Sequence, residues 1–363
     1  MSDVVELLRG LVEIDSINPD LIPGAPGEAE LARYVAAWCA RAGLDVEIEE
    51  AAPRRPNVIA TARGSGEGRA LLLNAHMDTV GVETMEAPFD ARLEGGRLYG
   101  RGSYDMKGSL AAIMTVAAEA KRRGLRGDVV VAAVADEEVA SIGTEALVAS
   151  GRRFDAAVVA EPPELDVAIA HKGFVGFEIE TRGRAAHGSR PDLGEDAIAR
   201  MGPVLVALDE LATDLVSKPT HRLLGSGSVH ASLIEGGQEF SSYPERCLLT
   251  GERRTVPGES LEDVERELGA IAGDAQRRLG VSRHPFEAGE DEEIVQLVHG
   301  HAGTNLIGVP FWTDAALVAA SGVPTVVFGP HGEGAHAAVE WVDLASVERC
   351  VEVLLAVAVD FCG

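Results

Sequence analysis

The residues able to do chemistry in this chain stand where short apolar runs stop. His76 and Asp78 follow Ala70–Ala75 in NAHMDTV. Asp105 lies in the glycine-rich turn GRGSYDMKG, ahead of a helix. Asp136, Glu137 and Glu138 follow VVVAAVA, Glu161 follows AAVVA, and His336 lies in GPHGEGAHAAVE after the last apolar run. Open α/β sheets bind ligands outside the carboxyl ends of their strands, so these stops converge on one crevice. Two imidazoles with several carboxylates and no cysteine suit two divalent metal ions, zinc by default, with cobalt or manganese accepted by the same donors. A bridging carboxylate can hold two such ions about 3.5–4 Å apart, the spacing of dinuclear hydrolases. Each residue alone has a plainer reading. An aspartate before a helix commonly caps it, paired glutamates are commonly solvated, and His336 could be a surface histidine. Their joint placement sets them apart, because adjacent carboxylates closing an apolar strand repel unless a cation compensates.

The elements that must position these residues are legible from periodicity. Helical spacing covers 28–42, closed by Gly43, and 107–123, stopped by Gly124. A strand pair is predicted at Asn57–Ala62 and Ala70–Ala75, with GSGEG as the turn. Unbroken runs at Val129–Val134, Ala156–Ala160 and Thr325–Phe328 suit buried strands of a largely parallel sheet. From about 174 to 288 the texture changes. Alternating strands occur near 177–181, 228–235 and 246–253, with helices near 194–212 and 259–279. The fold class expected is α/β with a mostly parallel central sheet and an inserted α+β domain, bounded near Gly173–Gly176 and Glu287–Glu290. Residues 1–174 and 289–363 then form the metal-binding domain, and 175–288 the insert.

The composition narrows the partners. The 363 residues suggest two domains at roughly 150 residues each. Lys and Arg number 32 against 58 Asp and Glu, a net charge of −26, which disfavours nucleic acid and anionic membranes. Four widely spaced cysteines with no Cys-x-x-Cys pair read as buried thiols in the reducing cytoplasm. The opening MSDVVELLRGLVEID reads as an acidic amphipathic helix rather than a signal peptide. No apolar run reaches the ~18 uncharged residues of a membrane span.

The chain resembles the M20 family of metallopeptidases and amidohydrolases. The likeness runs in order through LLLNAHMDTV, LYGRGSYDMKGSLAA, VAAVADEEVAS, AEPP, GRAAHGSRP, ERRTVPGES and GAHAAVEWV, nearly the whole length. It implies a zinc-peptidase-like catalytic domain with an inserted lid and dimerisation domain. It also implies roles. His76 and Glu161 bind one metal, Glu138 and His336 the other, and Asp105 bridges. Asp78 orients His76, and Glu137 is the general base. His187, in GRAAHGS, reaches toward the substrate carbonyl, and Arg254, in Arg-x-x-Pro-Gly, grips a substrate carboxylate. The activity implied is hydrolysis of an N-acyl amino acid amide by a dimer in the cytoplasm. A small dipeptidase, carboxypeptidase or aminopeptidase is the alternative, and a non-catalytic binding module the remote one. One departure stands out. Relatives carry Gly-Gly-x-x-x-Asn-x-x-Pro in the lid, whereas Gly236 to Pro244 here place Ser241 at the Asn position. A hydroxyl cannot copy an amide, so the usual substrates are in question. A smaller departure is Ala160 before Glu161, where relatives often have Gly.

Overall fold

The computed structural model describes residues 3–363. It divides into two compact units. One comprises the described part of Met1–Ile169 with Ala288–Ile307 and Thr313–Gly363; the other comprises Ala170–Glu287 and Gly308–Trp312. The expected N-terminal helix spans Asp3–Val12, with Met1 and Ser2 outside the described residues. Among the described residues no helix is long and apolar enough to cross a membrane.

The first unit is built on a mixed sheet. Its strands run in the order Asp45–Ala52, Arg55–Ala62, Val129–Val134, Leu71–His76, Ala156–Val159, Thr325–Val327 and Val167–His171. The four from Val129–Val134 to Thr325–Val327 are parallel, and those flanking them pair antiparallel. Val129–Val134 and Leu71–His76 are buried along their whole length, as apolar runs covered on both faces must be. The two strands predicted as a pair are not neighbours, because Val129–Val134 lies between them. A turn signal fixes where the chain reverses but not which strand it then joins.

The register sets where the strands end. Leu71 pairs with Val129 and His76 with Val134, while Asn74 pairs with Val159. The residues beyond each strand therefore emerge at one sheet edge. Helices Ala29–Arg41, Gly108–Arg123 and Leu344–Cys362 cover the sheet with apolar faces. The helix Gly108–Arg123 carries Lys121, Arg122 and Arg123 at its negative end and stops at Gly124, whose φ of 65° suits glycine. A small antiparallel sheet pairs Trp341–Asp343 with Arg97–Tyr99, Trp341 opposite Tyr99, and so joins two loops that carry chemical residues.

The second unit is an antiparallel sheet in the order Ser228–Gly236, Arg246–Thr255, Gly173–Arg182, Gln276–Arg283. Gly173–Arg182 alternates buried and half-buried residues, the mark of a sheet covered on one face. Helices Ala197–Ser217 and Leu261–Ala272 supply that cover, packing Met201, Leu208, Val264 and Leu268 onto Phe177, Ile179 and Leu249. Asp196 caps the first helix, and Ser260 with Asp263 forms a capping box on the second. The helix predicted over 259–279 ends early. Gly273 takes φ 58° after Ala272, and Gln276–Arg283 becomes an edge strand. Charged residues spaced along one side mimicked a helix there.

Candidate metal centre

His76, the last residue of its strand, is buried. Its Nδ1 lies 2.9 Å from the backbone carbonyl of Asp78. Donation of the Nδ1 proton to that carbonyl leaves the Nε2 lone pair facing inward. Nε2 lies 3.1 Å from Asp105 Oδ1, 3.8 Å from Glu161 Oε1 and 4.0 Å from Glu137 Oε2. On the other side of Asp105, His336 Nε2 lies 3.4 Å from Asp105 Oδ2 and 3.1 Å from Glu138 Oε2. Two ligand triads result, His76–Asp105–Glu161 and Asp105–Glu138–His336, and the donor atoms within each lie no more than 4.8 Å apart. Asp105 offers one oxygen to each.

The Asp78 carboxylate stands 3.6 Å from His76 Nδ1. It also accepts the backbone N–H groups of Glu137 and Glu138, at 3.1 and 3.2 Å. It thereby holds the turn carrying two of the chemical side chains. Asn18 donates to Asp78 Oδ2 at 2.7 Å and to Asp136 Oδ1 at 2.9 Å. Asp136 takes a left-handed φ of 71°, and Arg55 anchors it at 2.7 Å while gripping Glu28 with two further bonds. Buried polar groups satisfied in this way fix one geometry.

Charge is strongly unbalanced here. Burial, and then the negative charge of Glu161, holds the Glu137 carboxyl well above the usual carboxylate range, and burial with the charge of Asp105 does the same to Glu161. Burial and Asp105 raise Glu138. Burial would also raise Asp105, but its hydrogen bonds from His336 and His76 prevail and hold it low. His336 is pushed up to about 10 by its bonds to Asp105 and Glu138. His76 would be lowered by burial, yet Asp105, Glu161 and Glu137 raise it well above its ordinary value. Carboxylates drawn toward protons, and imidazoles made basic by carboxylates, form a donor set that fits divalent cations. The same groups that bind protons here are oxygen and nitrogen ligands in mixed-donor sites.

The two remaining candidates lie in the second unit. His187 is exposed on the short strand Ala186–His187, where its Nδ1 accepts the Ser189 N–H at 3.2 Å and lies 2.8 Å from the Ser189 hydroxyl. The adjacent Gly188 N–H donates to the Ser241 carbonyl at 2.7 Å, so this loop and the loop holding the serine departure are stitched together. Arg254 is half-buried, donates to Glu252 at 2.6 Å, and lies over the Phe174 ring. Sequence reasoning passed over Asp314, which is buried and accepts a 2.6 Å bond from the Thr144 hydroxyl. It also passed over Glu340, Asn18, Glu28 and Arg55. The only signal for Asp314 was an acidic residue in the otherwise apolar FWTDAALV.

Known proteins share this sequence pattern and this fold. The model of peptidase family M20/M25/M40 matches residues 72–360. An acetylornithine deacetylase from Myxococcus xanthus is 32% identical, covering 100% of this chain and 100% of its own. Among solved structures, an M20 family metallo-carboxypeptidase, Sso-CP2 from Sulfolobus solfataricus, superposes with a TM-score of 0.81 at 18% identity, covering 98% of each chain. A dinuclear metal-binding peptidase of the M20 family from Bacillus subtilis superposes with a TM-score of 0.72 at 18% identity, covering 99% of this chain and 97% of that one.

The charge imbalance has a consequence for stability. Burial pushes the Asp314 carboxyl from its ordinary 3.8 up to about 6. The folded chain then keeps a proton that the unfolded chain releases, so this contribution to stability is full below pH ~4 and is lost as pH rises toward ~6. In chelator, Asp314→Asn is expected to lose less thermal stability than the native chain between pH 4 and 6, and to melt higher at pH 7. Parallel melting curves in which the two proteins lose stability equally across that range would refute this.

Proposed function

This chain belongs to peptidase family M20/M25/M40, and from that premise we propose that it hydrolyses the amide bond of an N-acyl amino acid at a two-metal centre. It is an amidohydrolase-type enzyme of the family. The observation that carries the finer reading is the pair of triads joined at Asp105 with a fourth carboxylate, Glu137, beside them. His76, Asp105 and Glu161 are assigned one ion, and Asp105, Glu138 and His336 the other. Zinc is the ion assigned, with cobalt or manganese suited to the same donors. When bound, the ions polarise the scissile carbonyl and lower the pKa of water toward ~7.

The chain's own residues do the rest. Glu137 takes a proton from the attacking water and hands it to the leaving amine. Burial raises its affinity for that proton, which suits a base that must hold it between the two transfers. Asp78 fixes the backbone of Glu137 and Glu138 through their N–H groups, and its carbonyl fixes the His76 tautomer. His187 is assigned to the substrate carbonyl and Arg254 to a substrate carboxylate, for which a guanidinium fork is suited. Ser241 in place of asparagine, and the engagement of Arg254 by Glu252, favour a second reading in which the substrate is a small dipeptide-like amide.

We also assign a homodimer through the second unit and a cytoplasmic location. Strand Ser228–Gly236 lies at a sheet edge and exposes Leu233 (64%) and Ile234 (51%), and the helix packed on it exposes Val206 (60%). An open edge with apolar side chains invites a partner strand. Four buried, unbridged cysteines suit a reducing compartment.

Primary-amine release decides the substrate class. With two equivalents of zinc, the protein is expected to release amine from at least one of N-acetylornithine, N-succinyl-diaminopimelate and neutral N-acetyl amino acids. Release from dipeptides alone would install the second reading, and silence on every compound with both ions bound would overturn both. Glu137→Ala should retain its metal and lose turnover by ~10²-fold or more; near-native turnover would remove it as the base. His336→Ala should bind one equivalent where the native protein binds two, as metal analysis after dialysis will show. Leu233→Glu should sediment as a monomer, and an unchanged dimer would place the interface elsewhere.

A further inference from the structure

We propose that Glu340 is a positioning residue for the second cation position, locking the turn that carries Asp105 to the loop that carries His336. This role rests on the two-metal reading of the centre. Glu340 is buried and four residues beyond His336, just ahead of the strand Trp341–Asp343. Its Oε1 accepts the backbone N–H groups of Tyr104 and Asp105, both at 3.0 Å. Its Oε2 accepts the Gly102 N–H at 3.0 Å and Arg101 Nη1 at 2.6 Å. Its own carbonyl accepts the Gly100 N–H at 3.1 Å. Arg101 closes the arrangement by donating Nη2 to the Ala337 carbonyl at 2.9 Å.

One acceptor-only group thus receives four donors, three of them main-chain N–H groups of the turn that ends in Asp105. A buried N–H without an acceptor is costly, so the turn cannot move independently of Glu340. His336 is tied to the same anchor through four residues of chain and the Arg101–Ala337 bond. Its φ of 61° is a conformation that surroundings must impose on a non-glycine residue. Glu340 therefore governs two of the three donors in Asp105–Glu138–His336, but only one of the three in His76–Asp105–Glu161. Its effect must be unequal. The second position should depend on it far more than the first.

Glutamine tests this closely. Its amide oxygen can still accept two N–H groups, but its NH₂ must face Gly102 N–H and the Arg101 guanidinium, donor against donor. Zinc titration of chelator-stripped protein, with a competing chromophoric chelator, reads the two affinities separately. Glu340→Gln is expected to weaken the second equivalent by roughly 10–100-fold and the first by much less, without loss of secondary structure. Glu340→Asp keeps the charge but shortens the reach, and should show the same split in smaller measure should the glutamine variant not fold. Val342→Ala is the control for loosening alone, because Val342 is buried in the strand that follows Glu340 and its side chain makes no polar contact. It should leave both affinities near native. Native-like binding by Glu340→Gln, equal weakening of both equivalents, or the same split in Val342→Ala would each overturn the proposal. A native protein that binds fewer than two equivalents would remove the two-metal reading and this inference with it, whereas two native equivalents with an unchanged variant would remove the inference alone.

Discussion

Asp105, Glu137, Glu138, Glu161, Asp78 and Asp314 meet two imidazoles at one edge of a mixed sheet, beyond its buried parallel strands, and this excess of negative charge governs the first unit. Burial and mutual repulsion raise the proton affinity of Glu137, Glu138, Glu161 and Asp314. The chain tolerates the arrangement by giving several of the carboxylates a specific partner. Asp105 takes both imidazoles. Asp78 takes main-chain N–H groups, Asp314 a threonine hydroxyl, and Asp136 a guanidinium. Around the donors that face one another, the remaining attraction is for cations. Family membership and the overlapping triads point to the same chemistry from independent directions.

What makes the arrangement rigid is a second ring of polar contacts made largely with the backbone. The turn after Val129–Val134 is held by Asp78 and Asn18, and behind them by Arg55 between Glu28 and Asp136. The turn before helix Gly108–Arg123 is held by Glu340. Both turns make internal backbone hydrogen bonds, with Ala140 N–H donating to the Asp136 carbonyl and Lys107 N–H to that of Gly102. Both borrow acceptors from distant segments, so a ligand's direction depends on side chains that touch no ligand. Such preorganisation lets a site meet a reacting group without rearranging.

Much of this was legible in the sequence, and the physics explains the division. Apolar runs ending in His, Asp or Glu gave the parallel strands and their common edge, because burial on both faces leaves a continuous signature. Alternation gave three of the four strands of the second unit's larger sheet. Strand adjacency was not legible, and Val129–Val134 came between two strands that a local turn had joined. The helix expected to 279 stopped at Ala272 because a glycine at positive φ outweighed the spacing of charges. The supporting ring was invisible for a different reason. Asn18, Glu28, Arg55 and Glu340 find their partners across tens or hundreds of residues, and often in the main chain, which carries no side-chain signature. The two amides that the Asp78 carboxylate accepts were hidden on the same account, since they belong to the main chain of a segment some sixty residues away.

The position of that supporting ring along the chain has its own meaning. Asn18, Glu28 and Arg55 all precede residue 72, where the match to the family begins, whereas His76 to His336 all lie beyond it. Part of the scaffold is therefore written ahead of the chemistry, while Asp78 and Glu340 lie among the residues they support. A segment excised from Leu71 onward would carry each donor and the base, yet leave behind the guanidinium and amide that aim them. The centre is not a cassette that can be transplanted by its motifs. Any exchange of parts between relatives must move the first seventy residues together with the rest or rebuild their contacts.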